Sequence, residues 1–306
     1  MIVATILTEN AFITTWKTDN AGSSLTNQIS IPTYSTGIYS CFVDWGDGKS
    51  NYINTYNDAA WTHTYSVAGT YTIKIFGKFV GLQFNNAGDK LKILNVLKWG
   101  QDFRLGVGVS GHFYGCSNLA ITATDVLQNG SNGNLEYTFR GCTSITTIPK
   151  IEYWDTSRVT SMLGTFYGCT NFNSPLTYWD TSSVINMTSM FNGATAFNKP
   201  LSNFNTSACV QFGSMFQGAT AFNQDVSSFS IAALTTATNM FTSSGFTITN
   251  YDKLLNSSTG WPSQAKIQPN VTFSAGTAHY SAGAPTTGRT YLTGTKLWTI
   301  TDGGTP

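Results

Sequence analysis

Hydrophobic and polar positions repeat about every 25 residues through the middle of the chain. The clearest copies are "MFNGATAFN", from Met190, and "MFQGATAFN", from Met215. The phenylalanines that anchor six copies stand 25 to 27 residues apart: Phe113, Phe139, Phe166, Phe191, Phe216 and Phe241. A unit this short cannot bury a core of its own and becomes stable by stacking on its neighbours. The pattern therefore predicts a solenoid with the anchors in a buried ladder.

Two small positions follow each anchor. The second residue after it is glycine in five copies and Ser243 in the sixth, which predicts a backbone with positive φ. The third is small in every copy: Cys116, Cys142, Cys169, Ala194, Ala219 and Ser244. Zinc sites show close cysteine pairs with nearby histidines, and neither pattern occurs here. We therefore predict that all five cysteines are free thiols in the core.

A second block recurs later in each copy, as "WDTSRVTSM" from Trp154 and "WDTSSVINM" from Trp179. Its second position holds polar residues in four copies: Asp155, Asp180, Asn205 and Ser230. Two carboxylates from adjacent copies would suit a retaining glycosidase. Aspartate, asparagine and serine, however, replace one another as backbone caps and not as acids. Capping explains the series, and we predict no catalytic residue and no enzyme.

The N-terminal part shows a different pattern, because "YSCFVDWGDGKSN" from Tyr39 and "WTHTYSVAGTYTIKIFG" from Trp61 alternate apolar and polar residues around turns. This alternation predicts β-strands. Asp44 and Asp47 flank the turn, where they are candidate calcium ligands. Alternatively, their carboxylates accept hydrogen bonds from backbone N–H groups and fix the turn. No other metal site is predicted.

Both regions resemble known families. The W-G-D-G stretch from Trp45, "HTY" from His63 and "GTYT" from Gly69 resemble the PKD-type immunoglobulin-like domain. The blocks "MFNGATAFNKPLSNF" and "YWDTSSVINMTSMF" resemble the BspA-like branch of leucine-rich-repeat surface proteins, which includes repeats of mycoplasma lipoproteins. The ending "WTITDGG" resembles C-termini of such proteins in Bacteroidetes and their phages. The resemblance implies adhesion at a cell or particle surface.

The expected fold class is mixed β and α/β, with four segments. An immunoglobulin-like β-sandwich is expected over 1–80 and an N-terminal capping coil over 81–112. A leucine-rich-repeat solenoid is expected over 113–245 and a C-terminal cap over 246–306. The last segment carries a short helical stretch, "NYDKLLNSS", and two strand-like stretches, which is typical of a cap because terminal repeats are atypical.

Composition and short motifs reduce the number of function classes that fit the chain. Only 10% of the residues are charged and the formal net charge is +1, so the basic footprint of a nucleic-acid-binding protein is missing. No stretch reaches the length of a membrane span. The opening "MIVATILTENAFITTW" lacks the basic start of a signal peptide. "GVGVSG" from Gly106 matches a dinucleotide motif without its strand-to-helix context. We predict no cofactor.

Aromatic residues outside the ladder are the candidate binding residues: Tyr153, Tyr167 and Tyr178. Aromatic side chains on a stiff surface anchor proteins or sugars; alternatively, these three cover the edges of the core. The missing leader favours a phage-type virion fibre, spike or decoration protein that acts as a homo-oligomer. Its partners would be a host surface protein or glycan and other virion proteins. The alternatives are a secreted or cell-surface bacterial adhesin and, third, a glycan-degrading enzyme.

Overall fold

The computed structural model describes residues 10–106, 108–128 and 133–306. Residues 1–9 and part of "GVGVSG" lie outside the described residues. The interpretations that the chain start is no signal peptide and that "GVGVSG" is no dinucleotide site fall partly on these residues. The chain divides into two units, Met1–Asp155 and Thr156–Pro306. No helix among the described residues is both long and apolar enough to span a membrane.

The first unit is built on strands that pair in two sheets. The strands are β1 (Phe12–Lys17), β2 (Gln28–Ser30), β3 (Ile38–Asp44), β4 (Ser50–Ile53), β5 (Thr62–Thr64), β6 (Thr70–Val80), β7 (Ile93–Lys98), β8 (Phe103–Arg104) and β9 (Ala120–Ile121). Seven of them form one sheet in the order β4-β3-β6-β1-β7-β9, with β8 paired to β6. The pairs of β8 and β9 are parallel and the others antiparallel. β2 and β5 form a separate antiparallel pair.

Side-chain alternation fixes which face of the large sheet is buried. In β3, Tyr39, Cys41 and Val43 are buried and the residues between them face outward. The core beneath the sheet is aromatic, and the ring of Phe12 stacks on that of Phe103 with centroids 4.0 Å apart. Such burial of large apolar side chains is the main stabilising contribution to the unit.

The second unit contains the short strands β10 (Thr236–Ala237), β11 (Thr272–Ser274) and β12 (Thr299–Thr301). They form a parallel sheet in the order β10-β11-β12. Two α-helices follow β10 and β11: α1 (Ile248–Leu255) and α2 (Ala284–Thr290). Residues Tyr291–Thr295 continue from α2 as one π-helical turn. Short 3₁₀ helices lie at Ala59–Trp61, Ile151–Tyr153 and Trp261–Ser263.

The repeat copies of the second unit lie in register. Phe191 and Phe216 are fully buried, and their rings are parallel to within 2° with centroids 5.7 Å apart. The backbone N–H of Phe166 donates to the carbonyl of Met190, and that of Phe191 donates to Met215, each at 2.9 Å. The other anchor phenylalanines are buried as well. All five cysteines are free and buried, as predicted, and burial raises the pKa of Cys41 and Cys209 to about 12.

The predicted leucine-rich-repeat solenoid is wrong. Single parallel bridges, such as Ser161 to Asn186 and Asn186 to Gln211, occur where a solenoid would have continuous strands. The described residues of the copies are mostly turns, and the regular structure consists of mixed sheets with few helices. The reason lies in the backbone, because two residues of each copy have positive φ. One lies two positions before the anchor phenylalanine and the other lies two positions after it. Such residues interrupt the extended conformation that a strand requires.

The predicted immunoglobulin-like β-sandwich is also wrong. A sandwich packs two sheets of comparable size face to face. Here seven strands join one mixed sheet, which β9 of the first repeat copy extends, and the second sheet has only two strands. The alternation in the sequence located strands such as β3 and β6 but could not show which strands pair.

The glycine position after the anchor has the expected backbone. It has positive φ in all six copies: Gly115, Gly141, Gly168, Gly193, Gly218 and Ser243. The position before the anchor is left-handed too, although its residues differ: Gly111, Tyr137, Gly164, Ser189, Ser214 and Asn239. The first series was predicted because glycine recurs, whereas the second shows no common residue type. A left-handed conformation favours glycine, so its other occupants are strained.

We expect Ser243→Gly to stabilise the protein and Gly218→Ala to destabilise it, each by about 1 kcal/mol. A Cβ on Gly218 would lie 3.7 Å from Gly193, which is ordinary contact, so the cost comes from φ (+70°) alone. Urea unfolding measures both changes. Gly218→Asn is the control and should cost less than alanine, because asparagine tolerates this conformation. Equal stability of all three variants would contradict the backbone explanation.

A buried histidine makes stability depend on pH. His112 is fully buried and its Nδ1 lies 3.3 Å from Oγ1 of Thr138. Burial lowers the pKa of His112 from 6.5 to about 4, and the Gly106 backbone opposes this only in part. The unfolded chain therefore takes up a proton as the pH falls below 6.5, and the folded protein does so only near pH 4. Stability is full above pH 6.5 and falls between these two values.

We expect the free energy of unfolding to fall by on the order of 2 kcal/mol between pH 7 and pH 5 because of His112. Urea unfolding at both pH values measures this change. In His112→Leu the fall in the free energy of unfolding between pH 7 and pH 5 should be smaller by that amount. The control His279→Asn changes an exposed histidine and should show the same fall as the original protein. An unchanged slope in His112→Leu would show that other groups cause the loss.

Candidate functional site

The W-G-D-G turn after β3 uses its carboxylates for backbone hydrogen bonds. The N–H of Gly46 donates to Oδ1 of Asp44 (3.0 Å), and the N–H of Lys49 donates to Oδ1 of Asp47 (3.1 Å). Gly46 has φ of +80°, and a Cβ there would lie 2.5 Å from the carbonyl oxygen of Thr72. These contacts confirm that the aspartates support the turn, as one of the two interpretations predicts.

The second oxygen of each aspartate also has a protein partner. Oδ2 of Asp47 lies 3.0 Å from Nε2 of His63, whose ring stacks on Trp45 with centroids 4.8 Å apart. Oδ2 of Asp44 lies 3.6 Å from Nζ of Lys74. Burial acts to raise the pKa of Asp47, but hydrogen bonds from His63 and Lys49 outweigh it and lower the pKa. Within the described residues no cluster of three metal-ligating side chains exists, so the structure supplies no support for calcium at Asp44 and Asp47.

The polar series of the second block consists of caps. Oδ1 of Asp180 accepts from the N–H of Ser182 (2.9 Å), and Oδ1 of Asn205 accepts from Ser207 (3.1 Å). Oγ of Ser230 accepts in the same way from the residue two positions on. These contacts confirm the capping interpretation for the three positions. Hydrogen bonds from Ser182 lower the pKa of Asp180, which suits a capping carboxylate and not a general acid.

The three candidate tyrosines lie in different places. Tyr153 ends a 3₁₀ turn of the first unit and is 55% exposed. Tyr167 and Tyr178 belong to the second unit, where Tyr167 is half-buried and Tyr178 is 63% exposed. Exposure is what an anchor needs, so Tyr153 and Tyr178 meet that condition better than Tyr167 does.

Sequence reasoning missed an aromatic stripe on the large sheet, formed by Phe42, Tyr52 and Phe76. Phe42 on β3 lies directly opposite Tyr52 on β4 and also opposite Phe76 on β6. Tyr52 is 61% exposed, Phe42 is 45% exposed and Phe76 is half-buried. Residues in register on adjacent strands have their Cβ atoms about 5 Å apart, so the three side chains form one continuous surface.

The local sequence explains why the stripe faces outward. Cys41 and Val43 are buried in the core, so the alternation of β3 turns Phe42 to the opposite face of the sheet. A hydrogen bond of 3.0 Å joins the hydroxyls of Tyr52 and Ser40 and holds the tyrosine on this face. An aromatic residue on the polar side of an alternating strand was the signal that could have identified the stripe. Contiguous exposed apolar side chains mark interaction sites more often than single ones do.

Comparison with known proteins gives one family match. The family model described as "Mycoplasma protein of unknown function, DUF285" matches residues 133–253. No curated protein and no solved structure matches the chain. The matched segment covers less than half of the 306 residues and includes most of the repeat copies and most of α1. In this segment the protein is similar to that mycoplasma-type family, whose function is unknown.

Proposed function

We propose that this chain is a non-enzymatic binding protein displayed on a surface, and that it attaches to its partner through the aromatic stripe. The observation that carries the proposal is the exposed pair Phe42 and Tyr52, held in register on β3 and β4. Aromatic side chains contribute large contact areas at a low cost in conformational entropy. Because strands hold them, the stripe is ordered before the partner arrives.

The charge distribution supports an uncharged or mixed partner. Two lysines lie on the same strand as Phe76. Lys78 is exposed, and the charge of Lys74 is paired with that of Asp44. With a net charge of +1 and few charged residues, the protein has no strong field to steer a highly charged partner. A host surface protein or a neutral glycan fits better than a nucleic acid, and several copies acting together would increase avidity.

The place of display is proposed from resemblance. The repeats resemble BspA-like surface proteins, and the ending "WTITDGG" resembles C-termini of such proteins in Bacteroidetes and their phages. The family match over residues 133–253 is in keeping with the mycoplasma-type part of this resemblance. We propose a phage-type virion fibre, spike or decoration protein, with a bacterial cell-surface adhesin as the alternative.

Binding of the purified full chain to whole bacteria tests the proposal. Phe42→Ser with Tyr52→Ser should weaken binding at least about tenfold, because aromatic anchors dominate interfaces. The matched control is Leu25→Ser with Val67→Ser, which removes two exposed apolar side chains of the same unit outside the stripe. Equal binding by both double variants would contradict the role of the stripe. Release of sugars from cell-surface glycans would contradict the non-enzymatic assignment.

Fractionation of the producing cells separates the two locations. An antibody against the chain should detect it in purified virus-like particles if the virion proposal is right. Detection only in the bacterial envelope fraction would replace that proposal with the adhesin.

A further inference from the structure

An open groove in the second unit lies against the parallel sheet β10-β11-β12. Its volume is about 450 Å³, within the range of small-molecule sites. Seven of its lining residues carry hydroxyl groups, and the strand residues among them include Thr272, Ser274 and Thr301. Among the described residues no charged side chain lines it. The groove therefore presents neutral hydrogen-bonding groups.

The hydroxyl groups stand on one face because of the strand alternation. The motif Thr-x-Thr or Thr-x-Ser occurs at each strand: "TAT" from Thr236, "TFS" from Thr272 and "TIT" from Thr299. The three first threonines are register partners across the sheet, and Ser274 is paired with Thr301. The middle residue points to the other face, and in β11 it is Phe273, whose side chain is fully buried. Rows of hydroxyls about 5 Å apart result.

Hydrogen bonds hold part of the groove wall before any ligand binds. Oγ of Ser274 lies 3.3 Å from Oγ1 of Thr242 and accepts a hydrogen bond from the N–H of Gly276 (3.2 Å). Asn239 and Ser243 border the groove at the two left-handed positions of the last repeat copy, so their backbone direction is set by the repeat. Fixed hydroxyls lose little entropy on binding.

These groups select the chemistry of the ligand. A phosphate or carboxylate would need a cation or a converging set of N–H groups. An apolar ligand would leave the hydroxyls without hydrogen bonds, which is costly. The hydroxyls of Thr277 and Thr301 have no hydrogen-bond partner in the part of the chain that the structure describes. Each can donate one hydrogen bond and accept two, which matches a ligand rich in hydroxyl groups.

We infer that this groove binds a neutral sugar, such as an uncharged terminal residue of a surface glycan. The inference rests on the proposed function in that it names a partner for a surface-binding protein, but it uses a site separate from the aromatic stripe. Side-chain hydroxyls line the groove, which favours a sugar over an extended peptide, since strand addition of a peptide uses backbone groups of a sheet edge and not side-chain hydroxyls.

Calorimetry and saturation-transfer NMR test the inference on the full chain. The probes are the methyl glycosides of glucose, galactose and N-acetylglucosamine, with glucuronic acid and an uncharged tetrapeptide for comparison. At least one neutral glycoside should bind, and glucuronic acid and the peptide should not. Thr277→Val with Thr301→Val should weaken sugar binding at least about tenfold, because each of the two lost hydrogen bonds costs about three- to tenfold in affinity.

Thr249→Val is the matched control, because Thr249 is exposed on α1 outside the groove. Thr277→Trp, which fills the groove, should abolish binding, and circular dichroism checks that each variant is folded. No binding of any neutral glycoside, stronger binding of glucuronic acid or the peptide, or equal weakening by Thr249→Val would overturn the inference. The double variant Phe42→Ser with Tyr52→Ser should still bind the sugar. If the full chain binds bacteria through the stripe and no sugar binds, the inference fails and the proposed function stands.

Discussion

Phe216→Ala should destabilise the protein by about 3–5 kcal/mol, the usual cost of removing a fully buried aromatic ring. The ring stacks on that of Phe222 at 3.8 Å and lies between the rings of Phe191 and Phe241, at 5.7 Å and 5.5 Å. Since neighbours on three sides are rings held by the same repeat, they cannot easily close the cavity that alanine leaves. Thermal and urea unfolding measure the loss.

The control for Phe216→Ala is Tyr178→Ala in the same unit. Tyr178 is 63% exposed, so its truncation should change the free energy of unfolding by less than about 0.5 kcal/mol. The loss in the free energy of unfolding for Phe216→Leu should lie between those of Phe216→Ala and Tyr178→Ala. An unfolding curve unchanged by Phe216→Ala would show that the stacked rings do not hold the copies together.

Asp89→Ala should cost a comparable 3–5 kcal/mol, because it breaks a buried ionic network in the first unit. Asp89 and Lys92 are both buried, with Oδ1 and Nζ 3.8 Å apart. The carboxylate accepts from the N–H and Oγ of Ser24 and from the N–H of Ser30, at 2.6–3.0 Å. Nζ of Lys92 donates to the carbonyls of Leu25 and Gln28. Alanine at position 89 leaves a buried cation and several donors without the carboxylate.

The pH dependence of the stability of Asp89→Ala shows whether the unpaired charge of Lys92 causes the loss. Burial lowers the pKa of Lys92, and the charge of Asp89 opposes this. Removing Asp89 lowers that pKa further, so the unfolded chain binds more protons than the folded protein over a wider range below 10.5. Stability then rises with pH in that range, and Asp89→Ala should recover part of its loss between pH 7 and pH 9.5.

Asp19→Ala is the matched control, because Asp19 pairs with Lys17 at 3.7 Å where both side chains are about 45% exposed. It should cost less than about 1 kcal/mol at any pH tested. Equal losses in Asp19→Ala and Asp89→Ala would contradict the importance of burial.

Local features of this protein could be predicted from its sequence, whereas pairings between distant residues could not. The recurring glycines predicted positive φ, and the exchange of Asp180 for Asn205 and Ser230 predicted caps, because each depends on a few neighbouring residues. The outward direction of Phe42 was also readable from its own strand. Its partners Tyr52 and Phe76 were not, because they depend on how β3 pairs.

The prediction of the fold class was wrong because it, too, depends on pairings between distant residues. A period of about 25 residues shows that copies are equivalent, but not whether their backbones are extended. Tyr137 and Ser189 occupy equivalent left-handed positions without resembling each other, so the sequence concealed the turns that replace strands. The groove was equally hidden, because Thr238 follows β10, Ser274 lies on β11 and Thr301 lies on β12, and these strands are far apart in the chain.

The equivalence of the central copies has a consequence for the gene. The ring of Phe191 lies 5.6 Å from that of Phe166 and 5.7 Å from that of Phe216, and the α-carbons of Gly168 and Gly193 are each 3.7 Å from where a Cβ of the next glycine would be. The copy around Phe191 therefore meets equivalent surfaces on both sides. Unequal recombination that inserts or deletes one whole copy would recreate contacts that already exist, so we expect alleles of this gene to differ by multiples of about 75 base pairs.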